Sequence, residues 1–158
     1  MTAAATDLVT EHWFYHLEHA SLESVMPMLL EKSLERGWTC LVKTSEDQMA
    51  FVDELLWKYR EDSFLPHGRD DEPFADLQPV LISSTSQEAN GADIVLISGG
   101  DDVADLNGVS RCMFMINGRN EDDVQNARKR WSRLKASGAK LAYYQQDDRG
   151  RWQKKAET

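Results

Sequence analysis

The run Asp93 to Ser98, DIVLIS, constrains the fold more than any other part of this chain. Its apolar residues are continuous rather than alternating. That pattern describes a strand buried on both faces, the kind found in the middle of a sheet covered by helices. Other segments rich in β-formers fit around it: His12–Leu17 (HWFYHL), Trp38–Lys43, Pro79–Ser83, Arg111–Ile116 and Lys140–Gln145. Between them lie helical patterns. The first starts at a capping Ser21 or Ser24, carries Leu22, Val25, Met26, Leu29 and Leu34 on one face, and stops near Arg36 before Gly37. Pro27 is tolerated there in the first turn and would kink the helix beyond it. Ser45 with Gln48 spells a capping box for a second helix, whose stripe is Val52, Leu55, Leu56 and Tyr59. The third runs from Glu121 to Ser137 and is closed by Gly138.

Strands alternating with helices specify an α/β layered fold. The short link between 79–83 and 93–98 also allows an antiparallel pair. The expected architecture is a single layered domain over 1–158: a mixed, mostly parallel β-sheet with helices on both faces. Residues 1–10 and the charged end 149–158 are expected to be flexible.

Composition narrows the class. With 41% apolar and 28% charged residues, the 158-residue chain can bury a substantial core. The longest apolar run is far short of a membrane span, and the first residues lack the features of a secretory signal. Cys40 and Cys112 both sit in strand-like apolar runs, which points to buried reduced thiols and a cytoplasmic setting. Their separation, and so a disulfide between them, is left open. The net charge is −9 but unevenly placed. Residues 1–118 hold 21 acidic and 7 basic side chains, whereas residues 119–158 hold 6 acidic and 11 basic. The body repels phosphates and the C-terminal region attracts something negative, so contact with DNA is expected to be indirect.

Catalytic signatures are missing. Gly99-Gly100-Asp101-Asp102 lacks both the P-loop lysine and dinucleotide spacing. No Gly-x-Ser-x-Gly elbow occurs. The expected architecture is thus Rossmann-like without a nucleotide motif. His12, His16 and His19 invite a metal reading, but on a strand only His12 and His16 share a face, and no cysteine completes a site. His67 with Asp70, Asp71 and Glu72 is the one acid–imidazole cluster. No catalytic residue, metal or cofactor is expected.

Two stretches look built for partners. In the third helix Val124, Ala127, Trp131 and Leu134 form an apolar stripe, with Arg128 and Lys135 on its margin. An arginine beside an aromatic wall can grip a carboxylate while the wall receives an apolar side chain, which suits an acidic peptide with a hydrophobic end. The alternative is an arginine that covers the core with its stem. The other stretch is Phe51–Gly68. Trp57 lies off the helical stripe, and Phe64, Leu65, Pro66 and His67 follow in an apolar loop. They form either a docking surface or a cap on the core.

The runs LLW ending at Trp57 and SFLPHG from Ser63, with Glu46-Asp47, DIVLIS and Ala127–Trp131, resemble the chi subunit family of bacterial DNA polymerase III over nearly the whole chain. The resemblance implies a non-catalytic accessory subunit. Such a subunit links the clamp loader to the single-stranded-DNA-binding protein by holding that protein's acidic C-terminal tail. Arg128 matches the family's tail-binding arginine, and Trp131 stands where the family has an aromatic, as Trp rather than Tyr. Ile116 matches an apolar wall residue. Val124 replaces a second basic residue, for which Lys135 or Lys129 could compensate. The face that meets the psi subunit carries over to Trp57, Phe64, Pro66 and His67, and partnership with a repair helicase through that face is a related role. The rival class is a small nucleotide- or phosphate-handling enzyme working near Gly99 and Asp101.

Overall fold

The computed structural model describes residues 10–18, 20–59, 65–85, 91–98 and 108–157. Among these, eight strands form one sheet: β1 (Glu11–Leu17), β2 (Cys40–Lys43), β3 (Gly68–Arg69), β4 (Val80–Ser83), β5 (Ile94–Ile97), β6 (Arg111–Asn117), β7 (Lys140–Gln146) and β8 (Trp152–Glu157). Three helices accompany them: α1 (Leu22–Glu35), α2 (Met49–Trp57) and α3 (Glu121–Ala136). The strand order is β3-β4-β2-β5-β6-β1-β7-β8. Every pairing is parallel except β7 with β8.

Continuous apolar strands do take the middle. Ile94, Val95, Leu96 and Ile97 of β5 are fully or almost fully buried, with alternate residues on opposite faces. On one face Val25, Met26 and Leu30 of α1 and Val52 and Leu56 of α2 pack against Tyr15, Val42, Ile82, Leu96 and Met113. On the other, Ala127, Val124, Trp131 and Leu134 of α3 cover Phe14, Ile116 and Leu141. The mixed, mostly parallel sheet with helices on both faces is therefore as expected. Leu30, outside the expected stripe, is fully buried, and burying such a side chain is worth roughly 1.5–3 kcal/mol.

Four local expectations are corrected. β4 and β5 do not pair with each other. Both lie parallel to β2, one on each side, so they cannot be the two arms of a hairpin. The Ser45–Gln48 capping box does not form: Glu46–Gln48 is a 3-10 turn leading into α2, and the Ser45 side chain caps nothing. Pro27 lies beyond the first turn of α1 and is buried there, so the N–H it lacks costs one helical hydrogen bond, to the carbonyl of Glu23 near the helix start. The charged C-terminal end, expected to be flexible over 149–158, is ordered over Trp152–Glu157. Its strand closes a hairpin on β7, and Trp152 stands edge-on to Tyr15 at 5.3 Å.

Cys40 and Cys112 are free and buried in clusters on opposite faces of the sheet. Burial pushes each thiol up to about 12. No helix among the described residues is long and apolar enough to cross a membrane.

Candidate functional site

The first candidate face lies along the flank of α3 that looks toward β7. Asn120 caps the helix by accepting from the backbone N–H of Asp123 at 3.1 Å, and Glu121, Asp122 and Asp123 occupy the first turn, matching the helix dipole. The buried stripe of α3 then leaves Arg128 and Lys135 exposed on its β7 side. Trp131 is half-buried. Its ring meets Phe14 edge-on at 5.3 Å and Tyr143 at 5.8 Å. Tyr143 sits beside Arg128, and its hydroxyl lies 2.6 Å from Nδ1 of His16, whose Nε2 is 3.0 Å from Glu18. Partial burial raises the Tyr143 hydroxyl above its ordinary range, Arg128 pulls it back and Glu18 pushes it up again. The result is an exposed guanidinium one helical turn from Trp131 of a two-ring aromatic wall, whose Tyr143 is tied to His16 by a hydrogen bond. Gly118 closes the base. A Cβ there would collide with the His16 imidazole, so the turn after β6 passes against that ring only because no side chain intervenes.

The second face is built on the end of α2. Trp57 is 58% exposed, while Val52 and Leu56 of the same helix are buried. The Trp57 ring stands edge-on to His67 at 4.7 Å. His67 is itself buried: Nδ1 lies 2.7 Å from the Leu65 carbonyl and Nε2 lies 2.9 Å from Asp53. Leu65 is buried and Pro66 half-buried. His67 thus braces the loop against α2 under the exposed indole.

A family model described as DNA polymerase III chi subunit, HolC, matches residues 9–142. The chain belongs to that family. A curated relative, described as probable DNA polymerase III subunit chi of Rickettsia prowazekii (strain Madrid E), is 26% identical over 93 residues, covering 58% of this chain and 56% of the relative. The chain therefore spans little more than half the length of that relative. The chi match includes the Trp57 face and all of α3 but ends within β7, so Tyr143 of the first face and all of β8 lie beyond it.

Within this chi-family chain the anticipated residues separate into groups. Arg128, Trp131, Val124 and Lys135 come together on one flank of α3, with Val124 half-buried in the same cluster as Trp131. Ile116 is corrected: it is fully buried in the layer beneath that cluster, so it supports the wall and cannot line it. Lys129 is corrected as well. At about 100° per residue it stands roughly 140° around the helix from Val124, on the opposite flank, and cannot replace a cation there. Trp57, Pro66 and His67 are adjacent, but His67 is a brace rather than a surface residue. Phe64, His19 and the Gly99-Gly100-Asp101-Asp102 run lie outside the described residues. The cluster of His67 with Asp70, Asp71 and Glu72 does not assemble. His67 faces Asp53, Asp70 accepts from Ser83, and Asp71 and Glu72 bind Arg69. Among the described residues no group of three or more His, Cys, Asp or Glu could hold a metal ion.

Two residues were missed. Tyr143 could have been found from strand alternation: it is on the face of β7 that carries Leu141, against an aromatic first strand. Arg130 carried no signal, because a charged residue beside an apolar stripe reads as solvated. It is in fact buried, with its guanidinium 4.8 Å from the Phe114 ring and a weak bond to Cys112 Sγ at 3.8 Å. Burial, then Arg133, lowers its pKa to about 10.

His12 shares this environment. Burial first, then Arg130 and Arg133, lowers its pKa from 6.5 to about 4. The unfolded chain therefore takes up a proton that the folded one resists. Stability contributed by neutral His12 is complete above the unfolded pKa and is lost as pH falls through the folded one. Denaturant unfolding should show about 2–3 kcal/mol more loss from about pH 7 to about pH 4.5 in the wild type than in His12→Gln. Equal losses in the two proteins would contradict this assignment.

Proposed function

We propose that this chain is a non-catalytic accessory subunit of DNA polymerase III that links the clamp loader to the single-stranded-DNA-binding protein. It would do so by holding the acidic C-terminal tail of that protein on the Arg128 flank of α3. The observation that carries the reading is the exposed Arg128 beside the Trp131–Tyr143 wall. A guanidinium offers paired donors to a carboxylate, and the rings offer an apolar seat for the last side chain of the tail. Isothermal titration with an acidic peptide ending in a hydrophobic residue tests it. Saturable binding that weakens with salt supports the reading, and no binding at low salt sinks it.

The Trp57 face is the proposed dock for a psi subunit or another clamp-loader component, with a repair helicase as the second partner of the same surface. Its support is an indole left 58% exposed at the end of a helix whose Met49, Val52 and Leu56 are buried. Trp57→Ala should reduce capture of clamp-loader components in a pull-down by roughly thirtyfold, the effect of losing about 2 kcal/mol at an interface centre. Its unfolding midpoint should stay near that of the wild type. Unfolding of the variant would instead make Trp57 part of the core. Nucleotide turnover by the purified chain would favour the enzyme reading.

A further inference from the structure

A cleft of about 900 Å³ opens on the other flank of α3, and neither partner-binding face uses it. It lies where the carboxyl ends of β1, β2, β5 and β6 meet, lined there by Leu17 and Glu18, Ser45, Ser98, and Asn117 with Arg119. The topology makes this a switch point. From β1 the chain leaves through α1 on one face of the sheet, and from the neighbouring β6 it leaves through α3 on the other. Open α/β sheets bind ligands in the crevice such a divergence creates.

The walls of the cleft are positive. α3 contributes Lys129, Arg130 and Arg133, and the turn after β6 contributes Arg119. Arg119 and Lys129 are exposed, and among the described residues neither forms an ion pair. Against these four cations the lining holds two carboxylates: Glu18, 3.0 Å from His16, and Asp123, which accepts from the backbone N–H of Asn117 at 3.1 Å. Across the cleft, Ser21 at the start of the 14-residue helix α1 lines the wall, and its side chain does not cap the helix. Ser45, which also caps nothing, and the buried Ser98 hydroxyl, which has no hydrogen-bond partner among the described residues, line it too. Leu17, Leu22, Phe114 and Met115 supply apolar surface between the polar groups.

We infer that this switch-point cleft binds a phosphate-bearing small molecule. Its phosphate would lie between Arg119, Lys129 and the N-terminal turn of α1, where cations and helix N–H groups both favour an anion. The volume falls within the range of small-ligand sites, and the apolar surface suits an attached ring. Binding here requires no catalysis and is independent of the tail-binding reading, since Arg128 occupies the opposite flank of α3.

Backbone amide NMR titrations of the whole chain with ADP, with pyrophosphate and with adenosine, all without divalent metal, test the inference. The expected result is saturable shifts at Ser21–Glu23, Ser45 and Arg119 with the two phosphate-bearing probes and weaker ones with adenosine. Arg119→Ala combined with Lys129→Ala should reduce phosphate-probe affinity roughly tenfold or more. Tighter binding of ADP than pyrophosphate identifies a nucleoside phosphate as the ligand class, and equal binding identifies phosphate groups alone. Either ranking supports the site. Absence of saturable shifts at millimolar probe, shifts centred on Arg128 and Trp131, or undiminished affinity in the double variant would overturn it.

Discussion

Arg128→Glu should weaken binding of an acidic, hydrophobic-ended peptide by roughly tenfold to a hundredfold, or about 1.5–3 kcal/mol for a lost charge-assisted hydrogen bond. Arg128→Ala should fall at the lower end of that range, because it removes the attraction without adding repulsion. Both variants should fold normally, since the side chain is exposed. The wild-type affinity should fall as salt rises, and the Arg128→Ala affinity should fall less steeply. Charge reversal of Lys32 on α1, which packs on the other face of the sheet, controls for net charge and should leave peptide affinity nearly unchanged. Trp131→Tyr, which keeps a ring in place, is the better probe of the wall than Trp131→Ala, because Trp131 also packs on Phe14. Titration calorimetry at two salt concentrations decides the matter. Unchanged affinity in both Arg128 variants would mean that the basic half of α3 serves only its own dipole.

Phe14→Ala is expected to cost about 3–5 kcal/mol of stability, a large share of the 5–15 kcal/mol that holds a typical domain folded. Phe14 is fully buried at the centre of β1, which is flanked by β6 and β7. Its ring is 5.6 Å from Phe114, 5.3 Å from Trp131 and 6.2 Å from Tyr143, so one truncation removes three aromatic contacts and leaves a cavity. The denaturant midpoint should drop sharply. Phe14→Leu should lose less, and in that still-folded variant peptide affinity should also fall, because Trp131 and Tyr143 rest on the ring that was removed. A loss below about 1 kcal/mol for Phe14→Ala would show that α3 docks on the sheet without this cluster.

The layered architecture was legible because burial on two faces leaves a local trace. DIVLIS read as the interior of a helix-covered sheet, and the spacing of Val124, Ala127, Trp131 and Leu134 marked which side of α3 turns inward. Arg128 and Trp57 were legible for the complementary reason: each breaks or borders a stripe, and the break is visible in one dimension. What the chain does at long range left no such trace. The link from β4 to β5 has the same composition whether it turns back or crosses over β2, and only the competition among strands for neighbours puts both beside β2. The end of the chain reads as solvated charge, because five residues of β8 are exposed and only Trp152 touches the core. Arg130 of α3 is buried against Phe114 and Cys112 of β6, and His67 finds Asp53 on a helix fourteen residues earlier. The divergence of α1 and α3 at neighbouring strand ends, and the cationic cleft between them, depends on strand order. Local sequence determined which residues must be buried and which helix edge carries charge; only the tertiary structure decided what those edges face, because pairing partners are chosen by geometry summed over the whole sheet.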